Sequence, residues 1–261
     1  MASENWQIRR LGTVLGAEVT GVVLAETSDA EKAEIRSLLH ANKVLFFPGQ
    51  FMSAPDHIAF GRFFGQLEGH PNLKDANAVE HPELFRLVAS TGGIADEWHT
   101  DLTFQEQPAL MSILNMKQCP EVGGDTMWCD LVAAYEKLSP PLQDLCDGLS
   151  ALHDAHPHNR PDRMTIHPMI RHDPETGRKA LFIHPVYAIR FEDMTERESR
   201  PMLDFLNDHA TRVEFTCRVR WQPGTLTMWD NRCVQHNAMN DYDGFSRRLH
   251  RTTVAGAVPS I

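Results

Sequence analysis

Several things are missing from this 261-residue chain. It has no C-x-x-C pair, no apolar run of membrane-spanning length, no low-complexity linker, no internal repeat and no block of like charge. Each absence removes a class. Cys119, Cys129, Cys146, Cys217 and Cys233 are odd in number and scattered. They exclude a zinc knuckle and a disulfide frame, and they fit reduced thiols in a cytoplasmic protein. The opening residues, Met1 to Gln7, lack the charged-then-apolar pattern of a signal segment, so neither export nor membrane insertion is expected. Basic residues are also scarce: 25 Lys and Arg against 35 Asp and Glu give a formal charge of −10. A nucleic-acid partner needs a positive footprint and is not expected. A small anionic substrate stays open, because a pocket can be locally positive on an acidic protein.

What is present is ordinary globular material, 42% hydrophobic and 23% charged, long enough for one sizeable core. With no linker in view, residues 1–261 are expected to form a single domain. Thr13 to Leu24 is Gly-punctuated and Val-rich, which predicts a short strand pair. Ser28 to Glu31 has the form of a capping box opening a helix to about Asn42. "KVLFFPG" predicts a buried strand stopped by Pro-Gly, and Ser53 caps a second helix with Ile58, Phe63 and Phe64 inward. Pro108 to Met116 is a predicted strand, and "EVGGDTMW" a tight glycine turn into another. Short helices are predicted at Leu131 to Leu138 and Pro140 to Leu149. Residues 150–165 are polar and proline-interrupted, which predicts a loop or lid with solvated histidines at 153 to 158. A hairpin about Asp173 to Gly177, a helix over Thr195 to Ala210, and strands at Val213 to Trp221, Thr225 to Asp230 and Arg248 to Val254 complete the pattern. Many strands with few helices point to a β-sandwich or barrel with flanking helices.

One stretch carries chemistry. "EWHTDLTF" sets His99 and Asp101 two residues apart, on one face if the backbone is extended. With 14 His and 35 acidic residues, roughly two His-x-Asp/Glu tripeptides arise by chance, and the chain has two, the other being His81-Pro82-Glu83. A second element selects the first tripeptide. In "WDNRCVQHNAMNDYDGFSRRLHRTT", His236 is followed eleven and fifteen residues later by Arg247 and Arg251. Arg247, Leu249 and Arg251 share a face of an extended strand, and arginines turned inward imply anions beside them. His99, Asp101 and His236 form the two-imidazole, one-carboxylate triad suited to non-haem Fe(II). The open positions suit a bidentate 2-oxo acid, whose far carboxylate needs an arginine, and O2. A zinc hydrolase could use the same three ligands, but it would not need Arg247 at that spacing. An inactive binding protein of similar fold would be expected to lack a ligand.

"WHTDLTF", "GGDTMW", "WDNRCVQH" and the Arg-x-x-x-Arg spacing, in that order from "LGAEVTGVVL" to "RTTVAGAVP", resemble the taurine dioxygenase family of Fe(II)/2-oxoglutarate oxygenases. The resemblance implies a double-stranded β-helix, or jelly roll, mainly β with helices packed outside. It implies an oxidoreductase with Fe(II) on His99, Asp101 and His236, and 2-oxoglutarate bound by Thr126 and Arg247. It implies a substrate anion held by His70 and Arg251; Phe104, close after the triad in the chain, is expected to line the substrate space. A tyrosine and an asparagine that face taurine in the family are replaced here by Leu73 and Ala95, which predicts a more apolar wall. The expected partners are therefore O2 and a small anion, either a sulfonate, an alkyl sulfate or an aryloxy-carboxylate. Taurine itself is the alternative. A homo-oligomer in the cytoplasm is also expected.

Overall fold

The computed structural model describes residues 5–69, 80–89, 95–158, 160–242 and 244–259. In chain order the strands are β1 (Gln7–Arg10), β2 (Ala17–Thr20), β3 (Val44–Phe47), β4 (Leu67–Glu68), β5 (Phe85–Ala89), β6 (Met111–Gln118), β7 (Thr126–Asp130) and β8 (Ser150–Ala155). They continue as β9 (Arg160–Pro168), β10 (Ile170–His172), β11 (Lys179–Leu181), β12 (Ala188–Phe191), β13 (Thr216–Val219), β14 (Leu226–Asp230), β15 (Val234–Ala238) and β16 (Arg247–Val254). The α-helices are α1 (Asp29–Asn42), α2 (Ala54–Arg62), α3 (Leu131–Glu136), α4 (Pro140–Asp147) and α5 (Glu196–Ala210).

The large sheet runs β1-β2-β3-β14-β6-β16-β4, with β5 also on β16. Strand β3 shows why this sheet is central. Val44 and Phe46 enter one hydrophobic core while Leu45 and Phe47 enter the other. Alternate residues point to opposite faces, so a four-residue apolar run must be covered on both. The outer cover is α1, through Ile35 and Leu39, and α2, through Ile58 and Phe60. The inner core gathers Trp128, Trp229, Leu249 and Ile183 with Leu203 and Leu206 of α5. Against it stand the three-stranded sheet β13-β7-β15 and the sheet β12-β8-β9. Strands β7, β15 and β16 carry Thr126, His236, Arg247 and Arg251 of the candidate site.

Local signals act as their chemistry requires. Ser28 Oγ accepts from Glu31 N while Glu31 Oε2 accepts from Ser28 N, closing the capping box of α1. Thr195 and Glu198 do the same for α5. Gly123 sits at φ +82°, and a Cβ there would lie 2.5 Å from the Asp241 carbonyl oxygen, so only glycine makes this turn into β7. The Asp-Asn-Arg turn is an ion-pair clasp. Arg232 bonds Asp230 at 2.7 Å and reaches Asp173 at 2.9 Å, docking the β10–β11 hairpin.

Four expectations are corrected. Residues 150–165 are not a lid: β8 and β9 pair across them, and His153 is fully buried. The inward residues of β8 are Ala151, His153 and Ala155, so an imidazole stands where a hydrophobic residue would have marked the strand. The N-terminal pair is β1 with β2, and the glycines at 12 and 16 lie in their turn. Helix α2 ends at Arg62, so Phe63 and Phe64 follow it instead of lining its inner face. Val213 to Trp221 opens as a short 3-10 helix at Val213–Phe215, and only Thr216–Val219 is strand.

Candidate metal centre

His99 and His236 are brought together by the backbone. Each donates its N–H to the other's carbonyl, at 2.9 and 2.8 Å, in an isolated antiparallel bridge. That reciprocal pairing sets the side chains on one face, with ring centroids 4.0 Å apart. The expected extended run through Asp101 does not occur. The chain leaves the bridge after His99 and turns over 101–104, with Leu102 at φ +56°. A buried leucine in the left-handed region is costly, and this one sits beside a cluster of ligand-type side chains. The turn carries the Asp101 carboxylate back to the imidazoles. Ligand atoms of His99, Asp101 and His236 lie within 4.8 Å of one another.

Each member is prepared as a ligand. His99 Nδ1–H donates to the Glu97 carbonyl at 2.7 Å, which leaves the Nε2 lone pair free. His236 is buried, and its Nδ1 has no hydrogen-bond partner among the described residues. Burial pushes the pKa of both imidazoles down, well down for His236, so they are neutral donors. Burial alone would raise the pKa of Asp101. The Arg251 guanidinium, with a hydrogen bond from Ser112, outweighs it and holds the carboxylate ionised, well below its ordinary range. Ser112 Oγ at 2.8 Å and Arg251 Nη2 at 3.0 Å both meet Oδ2, which leaves Oδ1 to serve as ligand. Two neutral imidazoles and one carboxylate fit Fe(II) with open positions.

Sequence reasoning missed the support beneath Asp101. Trp229 Nε1 donates to Asn231 Oδ1 at 2.9 Å, and Asn231 Nδ2 donates to Ser112 Oγ at 3.2 Å. Asn231 was readable only as a turn residue, and Ser112 carried no signal. Trp221 was likewise unmarked, yet its Nε1 donates to Thr126 Oγ1 at 2.9 Å.

The two arginines differ. Arg247 is buried, donates to Thr126 Oγ1 at 3.3 Å and lies 5.9 Å over the Trp221 ring. Its Nε has no partner, and among the described residues no carboxylate pairs with it. Burial pulls its pKa down, with Tyr242 and Cys119 opposing it. A buried guanidinium with no carboxylate partner among the described residues is suited to bind an anion. Arg251 is paired with Asp101 and also donates to Thr253 Oγ1 at 3.2 Å. The expectation of two unpaired arginines therefore holds for Arg247 alone. Phe104 is buried and packs edge-on against Tyr187, with centroids 5.2 Å apart. Ala95 is half-buried, its carbonyl accepting from Ala238 N at 3.0 Å. His70 and Leu73 lie outside the described residues.

The family model described as "Taurine catabolism dioxygenase TauD, TfdA family" matches residues 7–253. The chain belongs to this family. It is a 2-oxoglutarate-dependent dioxygenase, and its cofactors are Fe(II) and 2-oxoglutarate. Its sequence is 34% identical to an alpha-ketoglutarate-dependent sulfate ester dioxygenase of Pseudomonas putida, over 94% of this chain and 88% of the relative. It is 35% identical to an alpha-ketoglutarate-dependent 2,4-dichlorophenoxyacetate dioxygenase of Cupriavidus pinatubonensis, over 93% of this chain and 95% of that one. A crystal structure of a taurine dioxygenase from Burkholderia xenovorans superposes with a TM-score of 0.88 at 38% identity, covering 98% and 92% of the two chains. The structure of AAD-2 with Mn(II) and N-oxalylglycine superposes at 0.86 with 28% identity, covering 98% and 99%. The fold is accordingly the jelly roll of this family, with helices outside. Among the described residues no helix is long and apolar enough to cross a membrane.

Proposed function

We propose that residues 1–261 act as one dioxygenase unit that oxidises a small organic anion with an apolar stem. The class comprises alkyl sulfonates, alkyl sulfates and aryloxy-carboxylates. In this reading His99, Asp101 and His236 hold the iron, and Arg247 with Thr126 holds the far carboxylate of 2-oxoglutarate. His70 and Arg251 take the substrate anion, while Leu73, Ala95 and Phe104 form its apolar surround. The observation that carries the reading is Arg247, buried beside Thr126 with no carboxylate partner among the described residues. A zinc hydrolase has no use for that cation.

Bound Fe(II) and 2-oxoglutarate supply O2 activation, giving succinate, CO2 and a hydroxylated substrate. The chain supplies the rest. Glu97 fixes the tautomer and aim of His99. Ser112 and Arg251 keep Asp101 ionised and oriented. Arg247 neutralises and aligns the distal carboxylate. Arg251 lies beside Asp101, so an anion it binds comes to rest next to the iron ligands.

The relatives named for sulfate esters and for 2,4-dichlorophenoxyacetate support an anion on an apolar stem. Leu73 and Ala95 support it too, because taurine's ammonium would meet few polar partners and an unpaired buried charge is penalised. The scattered free cysteines support a cytoplasmic setting, where we place the enzyme as a homo-oligomer. The test compares kcat/KM for taurine and hexanesulfonate. Hexanesulfonate is expected to win. A taurine advantage above about tenfold, roughly 1.4 kcal/mol of transition-state binding, would make this a taurine dioxygenase in the strict sense.

A further inference from the structure

His184 follows β11 and is 2% exposed. Its Nδ1 accepts two backbone hydrogen bonds, from Val186 N at 3.1 Å and Tyr187 N at 2.9 Å. A ring nitrogen that accepts from amides carries no proton, so the neutral ring holds its proton on Nε2. Nε2 is buried and has no hydrogen-bond partner among the described residues. The tautomer thus leaves an N–H donor on a locked ring with no acceptor among the described residues.

The ring's surroundings say what is to arrive there. His184 stacks on Tyr187 at 4.0 Å, and Tyr187 meets Phe104 edge-on. On its other side His99 lies 6.4 Å away. Tyr187 Oη is 2.6 Å from His158 Nε2, which ties this wall to the 3-10 turn at His156–His158. Arg247, by contrast, donates to Thr126 and lies over the Trp221 ring. His184 therefore belongs to the wall formed with Tyr187 and Phe104, beside the metal ligand His99.

We infer that His184 is a substrate-binding residue, donating its Nε2–H to an oxygen of the anionic prime substrate. This rests on the function proposed above. Buried donors are almost always matched, and here the acceptor comes with the ligand. Arg251 then supplies charge, His184 a directional donor, and Phe104 and Tyr187 the apolar contact for the stem.

Two substitutions separate the donor from the structural role. In His184→Asn the amide oxygen takes the place of Nδ1 and keeps the Val186 and Tyr187 contacts, but nothing reaches the Nε2 position. In His184→Gln the amide nitrogen reaches the Nε2 position and the acceptor is lost. Binding is measured calorimetrically without O2 on the Mn(II)-loaded protein, using N-oxalylglycine first. Hexyl sulfate, hexanesulfonate and phenoxyacetate follow, and the one that wild type binds tightest is carried forward. The expected result for H184N is N-oxalylglycine affinity within twofold of wild type and prime-substrate affinity at least tenfold weaker, with H184Q recovering most of it. Prime-substrate affinity unchanged in H184N overturns the inference. Should H184N not fold, H184Q decides: retained affinity supports the donor, lost affinity overturns it. Loss of N-oxalylglycine binding in wild type refutes the metal and 2-oxoglutarate assignment itself. A wild type that binds N-oxalylglycine but none of the three anions refutes the substrate reading and this inference with it.

Discussion

Replacing Arg247 by leucine separates function from stability. In the protein without ligands Arg247 is buried, donates weakly to Thr126 at 3.3 Å, and has no counter-charge among the described residues. Its removal takes away a desolvated cation and supplies apolar volume beside Trp221, so the apoprotein should melt no lower than wild type. With 2-oxoglutarate the sign reverses. A charge-assisted pair is lost and a carboxylate is stranded, together costing about 2–4 kcal/mol, or roughly 30- to 1,000-fold in affinity. The assay is anaerobic calorimetry of 2-oxoglutarate on the Mn(II)-loaded protein, with thermal melts of both apoproteins. A threefold or smaller change in 2-oxoglutarate affinity would refute the assignment of Arg247. A large fall in the apoprotein's Tm would show instead that Arg247 is a structural cation.

Arg251→Leu should weaken the prime substrate more than 2-oxoglutarate, and titrating each ligand separately checks it; equal losses would contradict the division of labour. The same change removes the ion pair that holds Asp101, so Fe(II) affinity should also fall, which competition with a chelator would measure. Stability should depend on pH through two buried imidazoles. Burial with Lys117 pushes His57 down to about 3, and burial with His167 pushes His153 down to about 3. Below pH 6.5 the unfolded chain binds protons that the folded one refuses, so stability is complete above that pH and falls as pH drops toward 3. Each site costs about 2 kcal/mol at pH 5. Melting across pH 7 to 4 reads this, H57Q should flatten the curve, and an unchanged slope in that variant would contradict it.

What the sequence made legible was local or strongly spaced. The capping box at Ser28, the doubly buried run at Val44–Phe47 and the glycine turn before Thr126 each follow from neighbours in the chain. His236, Arg247 and Arg251 were legible because a strand and a turn fix their separation. The rest depended on partners far along the chain. Strand β15 reads VQHNA and looks polar, but its ladder to β7 and the bridge to His99 bury it. Strand β8 hides its inward face behind His153, and β9 exposes Met164 and Ile166 outward, so neither shows the usual alternation. Asp101 was expected on a strand and sits on a strained turn, because the pairing that ends at His99 cannot be seen in the tripeptide. Ser112, two residues into β6, had no local mark at all. Its role comes from lying opposite Trp229 in the sheet, next to Asn231.

The central claim is that a His–Asp–His set holds iron beside an arginine that holds 2-oxoglutarate. Succinate release from 2-oxoglutarate with O2 and hexanesulfonate or hexyl sulfate tests it most directly, on wild type and His236→Ala with Fe(II) in excess. The account predicts turnover in wild type that needs both Fe(II) and O2, and none above background in a folded H236A protein. Full activity in H236A, or wild-type turnover that Zn(II) supports without O2, would contradict it.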